Sequence, residues 1–162
     1  MITNYLSPVS FKVIIDRMPN VEFFTQKFTS PSISMAPVEQ LSPIHRAYQT
    51  GDRLEYGEFD LTFVVDENMN NYTEILSWME GLGSPQSTDQ YKKIADSKYG
   101  TTSDIAVIVE NSARNSNIRF TFTDCFPISV SGINLDVTQS DVFYPEASVS
   151  VRYTNMTIED FS

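Results

Sequence analysis

Alternation of apolar and polar residues with a period of two runs through most of this 162-residue chain. Successive strand residues point to opposite faces of a sheet, so this period fits strands with one buried face and does not fit a helix. Phe11, Val13 and Ile15 share one face, with Lys12 and Ile14 on the other. Phe24, Gln26 and Phe28 predict a second strand ahead of the breaker Pro31. Leu54 and Tyr56 followed by Phe59, Leu61, Phe63 and Val65 read as one long strand in which Gly57 marks a bulge or a phase slip. Ile105, Val107 and Val109 alternate, as do Ile118, Phe120 and Phe122. Phe126, Ile128 and Val130 lead to a Ser131-Gly132 turn, and Ile133, Leu135 and Val137 predict the strand after it. Val149, Val151 and Tyr153 give the last clear strand. The expectation is a mainly β chain, an antiparallel β-sandwich or barrel with one flanking α-helix.

That helix is read from Tyr72, Ile75, Leu76, Met79 and Leu82, whose spacing makes one apolar stripe. Asn70 or Asn71 can accept from its first free N–H groups, and Gly81 or Gly83 can end it ahead of Pro85. A weaker helical pattern lies within Thr88 to Ala95. Pro37 to Gly51 and Gly81 to Ser103 read as loops. No repeat or linker divides the chain, so residues 1–162 are expected to form a single domain.

The chain carries 11 Lys and Arg against 21 Asp and Glu, a formal net charge of −10. That balance opposes tight nucleic-acid binding, which depends on cations replacing the counterions of phosphate. No apolar run is long enough to span a bilayer, and Met1 to Phe11 lacks the pattern of a secretory signal. Cys125 is the one cysteine, which excludes an intrachain disulfide and points to folding in the cytosol.

Catalytic chemistry finds little support. His45 is the one histidine, in a polar loop, and no serine stands in a nucleophile elbow. Cys125 sits beside Phe126 and Pro127 in an alternating segment, where a buried inert thiol is expected. Asp66, Asn68 and Asn70 resemble the start of a calcium loop, but Asn71 stands where glycine is needed and Ser77 where a bidentate carboxylate is needed. These residues are expected to end a strand and cap the helix. Neither a metal nor another cofactor is expected, and the chain is not expected to be an enzyme.

The order of features is more specific than any single motif. The strand pair up to Pro31-Ser-Ile-Ser34 is followed by a long polar arm ending in Gly51-Asp52-Arg53. Then come the strand Glu58-Phe-Asp-Leu-Thr-Phe-Val-Val-Asp-Glu67 and the helix with Trp78. Cys125-Phe-Pro-Ile128, the acidic segment Asn134-Leu-Asp-Val137 and the strand from Ala147 to Tyr153 close the chain. This order resembles the tail tube protein family of contractile-tailed bacteriophages, itself related to the tube proteins of secretion systems and pyocins.

The resemblance implies a structural virion protein assembled in the host cytoplasm, a subunit of stacked homo-hexameric rings. Its partners would be further copies of itself, the tail sheath and the baseplate, with DNA passing through the lumen without specific binding. A baseplate component, or one that starts or ends the tube, would share the fold. The polar arm, Ser42 to Gly57, would reach a neighbouring subunit or ring through Ile44, His45, Arg46, Tyr48, Asp52, Arg53, Leu54 and Tyr56. The plain alternative for the arm is a mobile surface loop, although its apolar residues gain little there. Asp60 and Asp136 are the type of strand acid that would face a lumen, ordinary solvated sheet faces being the alternative. Phe23 beside Phe24 fits burial on both sheet sides after assembly, and Trp78 is read as packing, not as a ligand platform. From the residues alone, a carbohydrate- or protein-binding β-sandwich, or a glycosidase built on one, remains as the reading outside this class. A glycosidase would need two converging carboxylates, and a carbohydrate cleft would need exposed aromatics where the chain has only one Trp.

Overall fold

The computed structural model describes residues 6, 10–83 and 86–161. Pro85, the side chain of Phe23 and most of the stretch before Ser10 lie outside the described residues. The chain runs β1 (Phe11–Ile15), α1 (Pro19–Phe24), β2 (Thr25–Thr29), β3 (Ile33–Met35), β4 (Val38–Gln40), β5 (Ala47–Gln49), β6 (Leu54–Tyr56) and β7 (Phe59–Val64). It continues through α2 (Asn70–Gly83), α3 (Thr88–Ala95), β8 (Ser103–Glu110), β9 (Ser116–Val130), β10 (Glu146–Arg152) and β11 (Asn155–Asp160). The mainly antiparallel β architecture read from the alternation is what the chain adopts.

Strand β9 organises the fold. Its first half pairs with β8 and β11, and β8 pairs in turn with β1. Its second half, from Phe126, pairs with β10, followed by β7 and β2. The halves meet at Asp124, whose φ of 54° lies in the left-handed region. Aspartate tolerates that conformation better than most residues, and here the Asp104 carboxylate accepts a hydrogen bond from the Asp124 N–H at 3.2 Å. The kink also shifts the inward phase by one residue. Phe122 faces the core before it, Cys125 and Pro127 after it, and Phe126 and Ile128 are turned outward. The alternation had placed Phe126 and Ile128 inside, because a period read from sequence continues through a bulge that the backbone does not continue through.

The core lies between the two sheets. Val13, Ile105, Val107 and Phe122 from one meet Phe59, Leu61, Phe63 and Val149 from the other. Phe59 and Phe122 stack with centroids 4.3 Å apart, and Tyr153 and Phe28 lean on the same rings. Cys125 is fully buried, and burial pushes its thiol pKa up to about 12. A thiol reagent is therefore expected to leave the native protein unlabelled at pH 8, with labelling following global unfolding in a urea series. Labelling at the rate of a free thiol would show that this end of β9 opens on its own.

Several elements differ from the sequence reading. Phe24 is the last residue of α1, a short helix opened by Pro19 and anchored by buried Met18 and Val21. The segment from Leu54 to Val65 is two strands and not one. β6 pairs with β3 and β7 with β10 and β2, so Gly57 divides two sheets where a bulge or a phase slip was expected. The expected strand at Ile133, Leu135 and Val137 is an irregular loop, with Leu135 and Val137 exposed. Among the described residues there are three helices where one was expected, α3 coinciding with the weak pattern at Thr88 to Ala95. Gly81 does not end α2. It sits inside the helix, where a Cβ would fall 1.8 Å from Ile94 Cδ1, so glycine lets α3 pack against α2.

The junction between β7 and α2 is the one the sequence suggested. Asn71 is buried, donating from Nδ2 to the Val64 carbonyl at 2.7 Å and accepting at Oδ1 from the Tyr72 N–H at 2.9 Å. The Asp66 carboxylate accepts from the Asn70 N–H at 2.9 Å. Trp78 is packing, as read: it is buried, donates Nε1–H to the Thr101 carbonyl at 2.9 Å, and lies 4.7 Å under the Arg17 guanidinium.

Candidate assembly surface

Between β2 and β7 the chain leaves the sandwich as a ribbon. β3 pairs with β6 and β4 with β5, both antiparallel, so residues 33–56 form a two-tiered hairpin arm. Gly51 allows the tiers to join: a Cβ there would stand 2.1 Å from the Ala36 carbonyl oxygen. In the lower tier Ile33 lies opposite Tyr56 and Met35 opposite Leu54. Directly opposed residues share a face, so these four side chains form one apolar face, and each remains exposed. In the upper tier Arg46 meets the Glu39 carboxylate at 3.3 Å, and Gln49 donates to the Gln40 side chain at 3.1 Å. Leu41 and Ile44 stand at the tip, 95% and 91% exposed.

A two-stranded ribbon covers neither of its faces and is marginal by itself in water. Apolar side chains ranged along it lose exposure only against another surface. The structure gathers the predicted contact residues on this one arm but spreads them along its length. Ile44, His45 and Arg46 are at the tip, Tyr48 is on β5, Asp52 and Arg53 lie in the bend, and Leu54 and Tyr56 are on β6.

The two acids expected on strands are separated. Asp60 is on the outward face of β7 and accepts from the Ser150 hydroxyl at 2.5 Å. Asp136 is in the loop between β9 and β10, not on a strand. The Thr138 hydroxyl and N–H donate to it at 2.6 and 2.9 Å, which holds its carboxyl below the usual range. Around Asp60 the outward face of the second sheet carries Thr62 on the same strand and Lys27, Thr29, Ser148 and Ser150 on neighbouring strands, while Phe126 and Ile128 bring two exposed apolar side chains to its β9 edge.

Two further features could not be located from the sequence, although the resemblance implied exposed sheet edges that join between subunits. Among the described residues β2 pairs only with β7, and Phe126–Val130 pair only with β10, so the second sheet ends in open edges on both sides. The loop 131–145 also exposes Leu135, Val137, Val142, Phe143 and Tyr144. An open edge is a property of pairing and leaves no mark in sequence. The loop carries a signal only in hindsight: Thr138 to Asp141 interrupts the alternation with four consecutive polar residues.

No group of three or more His, Cys, Asp and Glu side chains able to hold a metal ion occurs among the described residues. Glu74, whose carboxyl burial pushes upward in pKa, accepts from the Asn20 side-chain amide at 2.5 Å and so ties α1 to α2.

The sequence matches the family described as phage tail tube protein over residues 6–159. The chain belongs to this family. Solved structures share the fold of this tail tube family member across nearly its full length. A chain of the tube-terminating cap of the anti-feeding prophage is 13% identical with a TM-score of 0.70, covering 99% of this chain and 94% of that one. A chain of the sheath-tube complex of the extracellular contractile injection system PVC, in its extended state, is 14% identical with a TM-score of 0.67, covering 96% and 92%. A chain of the anti-feeding prophage baseplate is 14% identical with a TM-score of 0.63, covering 99% and 98%. No curated protein sequence matches this family member.

Proposed function

We propose that the protein is a tail tube subunit of a contractile-type particle, in which six copies close into a ring and rings stack into a conduit for DNA. Its role is structural, not catalytic. The observation that carries this reading is the second sheet, made of β2, β7, β10 and the second half of β9, whose two outer strands have no further partner among the described residues. Joining the β2 edge of one copy to the Phe126–Val130 edge of the next removes both edges, as closure of a barrel does. Six such sheets make a barrel of about 24 strands, wider than the 16–18-stranded barrels that already enclose an aqueous channel. The outward face with Asp60 then lines the lumen, and the net charge of −10 disfavours adhesion of DNA phosphates. Sheath and baseplate proteins are the expected outer and terminal partners.

A second reading has its own support. The cap and the baseplate chain have the same fold at comparable TM-scores, so a subunit that ends or starts the tube fits this architecture as well.

Negative-stain electron microscopy over a concentration series separates the readings. Hollow tubes support the tube subunit, isolated rings support the terminal component, and monomers at every concentration overturn both. The arm supplies a second check. Reversing charge at Arg46 and Arg53, both exposed, is expected to leave the melting temperature within about 2 °C, since exposed substitutions rarely exceed ±0.5 kcal/mol. Tube growth is expected to stop. Loss of the fold in that variant would contradict the arm's placement outside the core.

A further inference from the structure

We propose that the tip of the arm of one copy docks on the loop 134–144 of a copy in the next ring, a contact between two different surfaces of the same chain. This rests on the tube reading and names the partner of its arm.

Strand register places the arm and the loop. In the second sheet Phe59 is opposite Val151 and Val64 opposite Glu146. The arm enters β7 at Phe59, and the loop 131–145 enters β10 at Glu146. Arm and loop therefore leave opposite ends of the same sheet. The surroundings agree: Tyr144 shares a cleft with Thr25 and Val64, whereas the arm root at Ser34 and Tyr56 shares one with Arg152. The six residues of β7 alone separate the ends by roughly 20 Å.

The two ends are also complementary. Residues 41–50 carry no acid, only His45 and Arg46 beside the exposed Leu41 and Ile44. Residues 134–144 carry no base, only Asp136 and Asp141 among exposed Leu135, Val137 and Val142. Asp66 and Glu67 line the cleft beside Tyr144 and extend the negative field at that end. Arg46 already meets Glu39, but a pair this open to water contributes little and leaves the guanidinium free to meet a second acid. Two different, mutually complementary patches at opposite ends make a heterologous contact, which propagates along an axis instead of closing a dimer. Opposite charges set its direction, since loop against loop would bring acid to acid.

Engineered disulfides test the contact. Cys125 is buried, so introduced thiols are the reactive ones. Ile44→Cys and Val137→Cys fall on side chains 91% and 100% exposed, and neither disturbs the core. Within one copy the two sites are too far apart to bridge, because a disulfide needs Cα atoms within about 7 Å. Mixing the two single variants under oxidising conditions is expected to give a cross-linked dimer absent from either variant alone. The double variant is expected to give a ladder of covalent multimers. Tubes that form without cross-linking overturn the contact and leave the tube reading standing. Wild-type protein that forms neither rings nor tubes overturns that reading and the contact with it. If the cysteine variants fail to assemble, charge exchange decides: Asp136→Lys with Asp141→Lys in one chain and Arg46→Glu in another should each lower assembly at least tenfold alone. Mixed, they should recover most of it, and no recovery overturns the contact.

Discussion

Truncating Phe122 to alanine is expected to destabilise the protein by about 3–5 kcal/mol, the range for removing a buried aromatic ring. Phe122 is fully buried on β9, the strand shared by both sheets, and its ring contacts Phe59 at 4.3 Å, Tyr153 at 4.9 Å and Phe28 at 6.2 Å. The variant loses its own burial and leaves three aromatic rings facing a cavity that strands held by backbone hydrogen bonds cannot close. Domains of this size are stable by only about 5–15 kcal/mol, so the loss takes a large share of the whole margin. A urea titration measures the effect as a fall in midpoint with an unchanged slope. Ile158→Ala, on the exposed side of β11 at 57% exposure, is the control and should stay within about 0.5 kcal/mol. If Phe122→Ala shifted the midpoint no more than that control, the two sheets would not depend on this aromatic cluster.

Gly51→Ala is expected to have the opposite pattern, with little effect on the fold and a large one on assembly. The added methyl would lie 2.1 Å from the Ala36 carbonyl oxygen. That oxygen belongs to the backbone, so the clash is relieved only by separating the strands of the ribbon. The arm packs few groups into the core, and the melting temperature is expected to stay within about 2–4 °C, the shift of roughly 1 kcal/mol in a domain of this size. A misdirected arm presents its apolar face and its tip out of register. The critical concentration for tube growth is expected to rise at least tenfold, which corresponds to about 1.4 kcal/mol per added subunit. Sedimentation across a dilution series measures it. Normal tubes at wild-type concentrations would show that the arm does not govern assembly.

The sequence determined what depends on local pattern. Period-two alternation placed β1, β7, β8 and β10 because one face of each is apolar and buried while the other is more exposed and mixed in polarity. The apolar stripe from Tyr72 to Leu82 placed α2, and Asp66 to Asn71 read correctly as a strand end and helix cap because such hydrogen bonds join near neighbours. The resemblance carried the family, since the order of elements survives in the chain even where single motifs are weak.

The tertiary structure decided what depends on pairing. Leu54 and Phe59 look like one strand, but β6 and β7 have different partners, and nothing local states which partner a strand will take. Leu135 and Val137 alternate like strand residues yet find no neighbouring strand, so they remain in a loop and take Asp136 with them. At Asp124 a single left-handed residue turned Phe126 and Ile128 outward, a change of phase invisible to any count of alternation. The open edges of the second sheet, and the arm and loop at its two ends, follow from which strands lie side by side. Side-chain chemistry fixed which residues prefer burial or water, but contacts between distant parts of the chain fixed which surfaces stayed open for another copy.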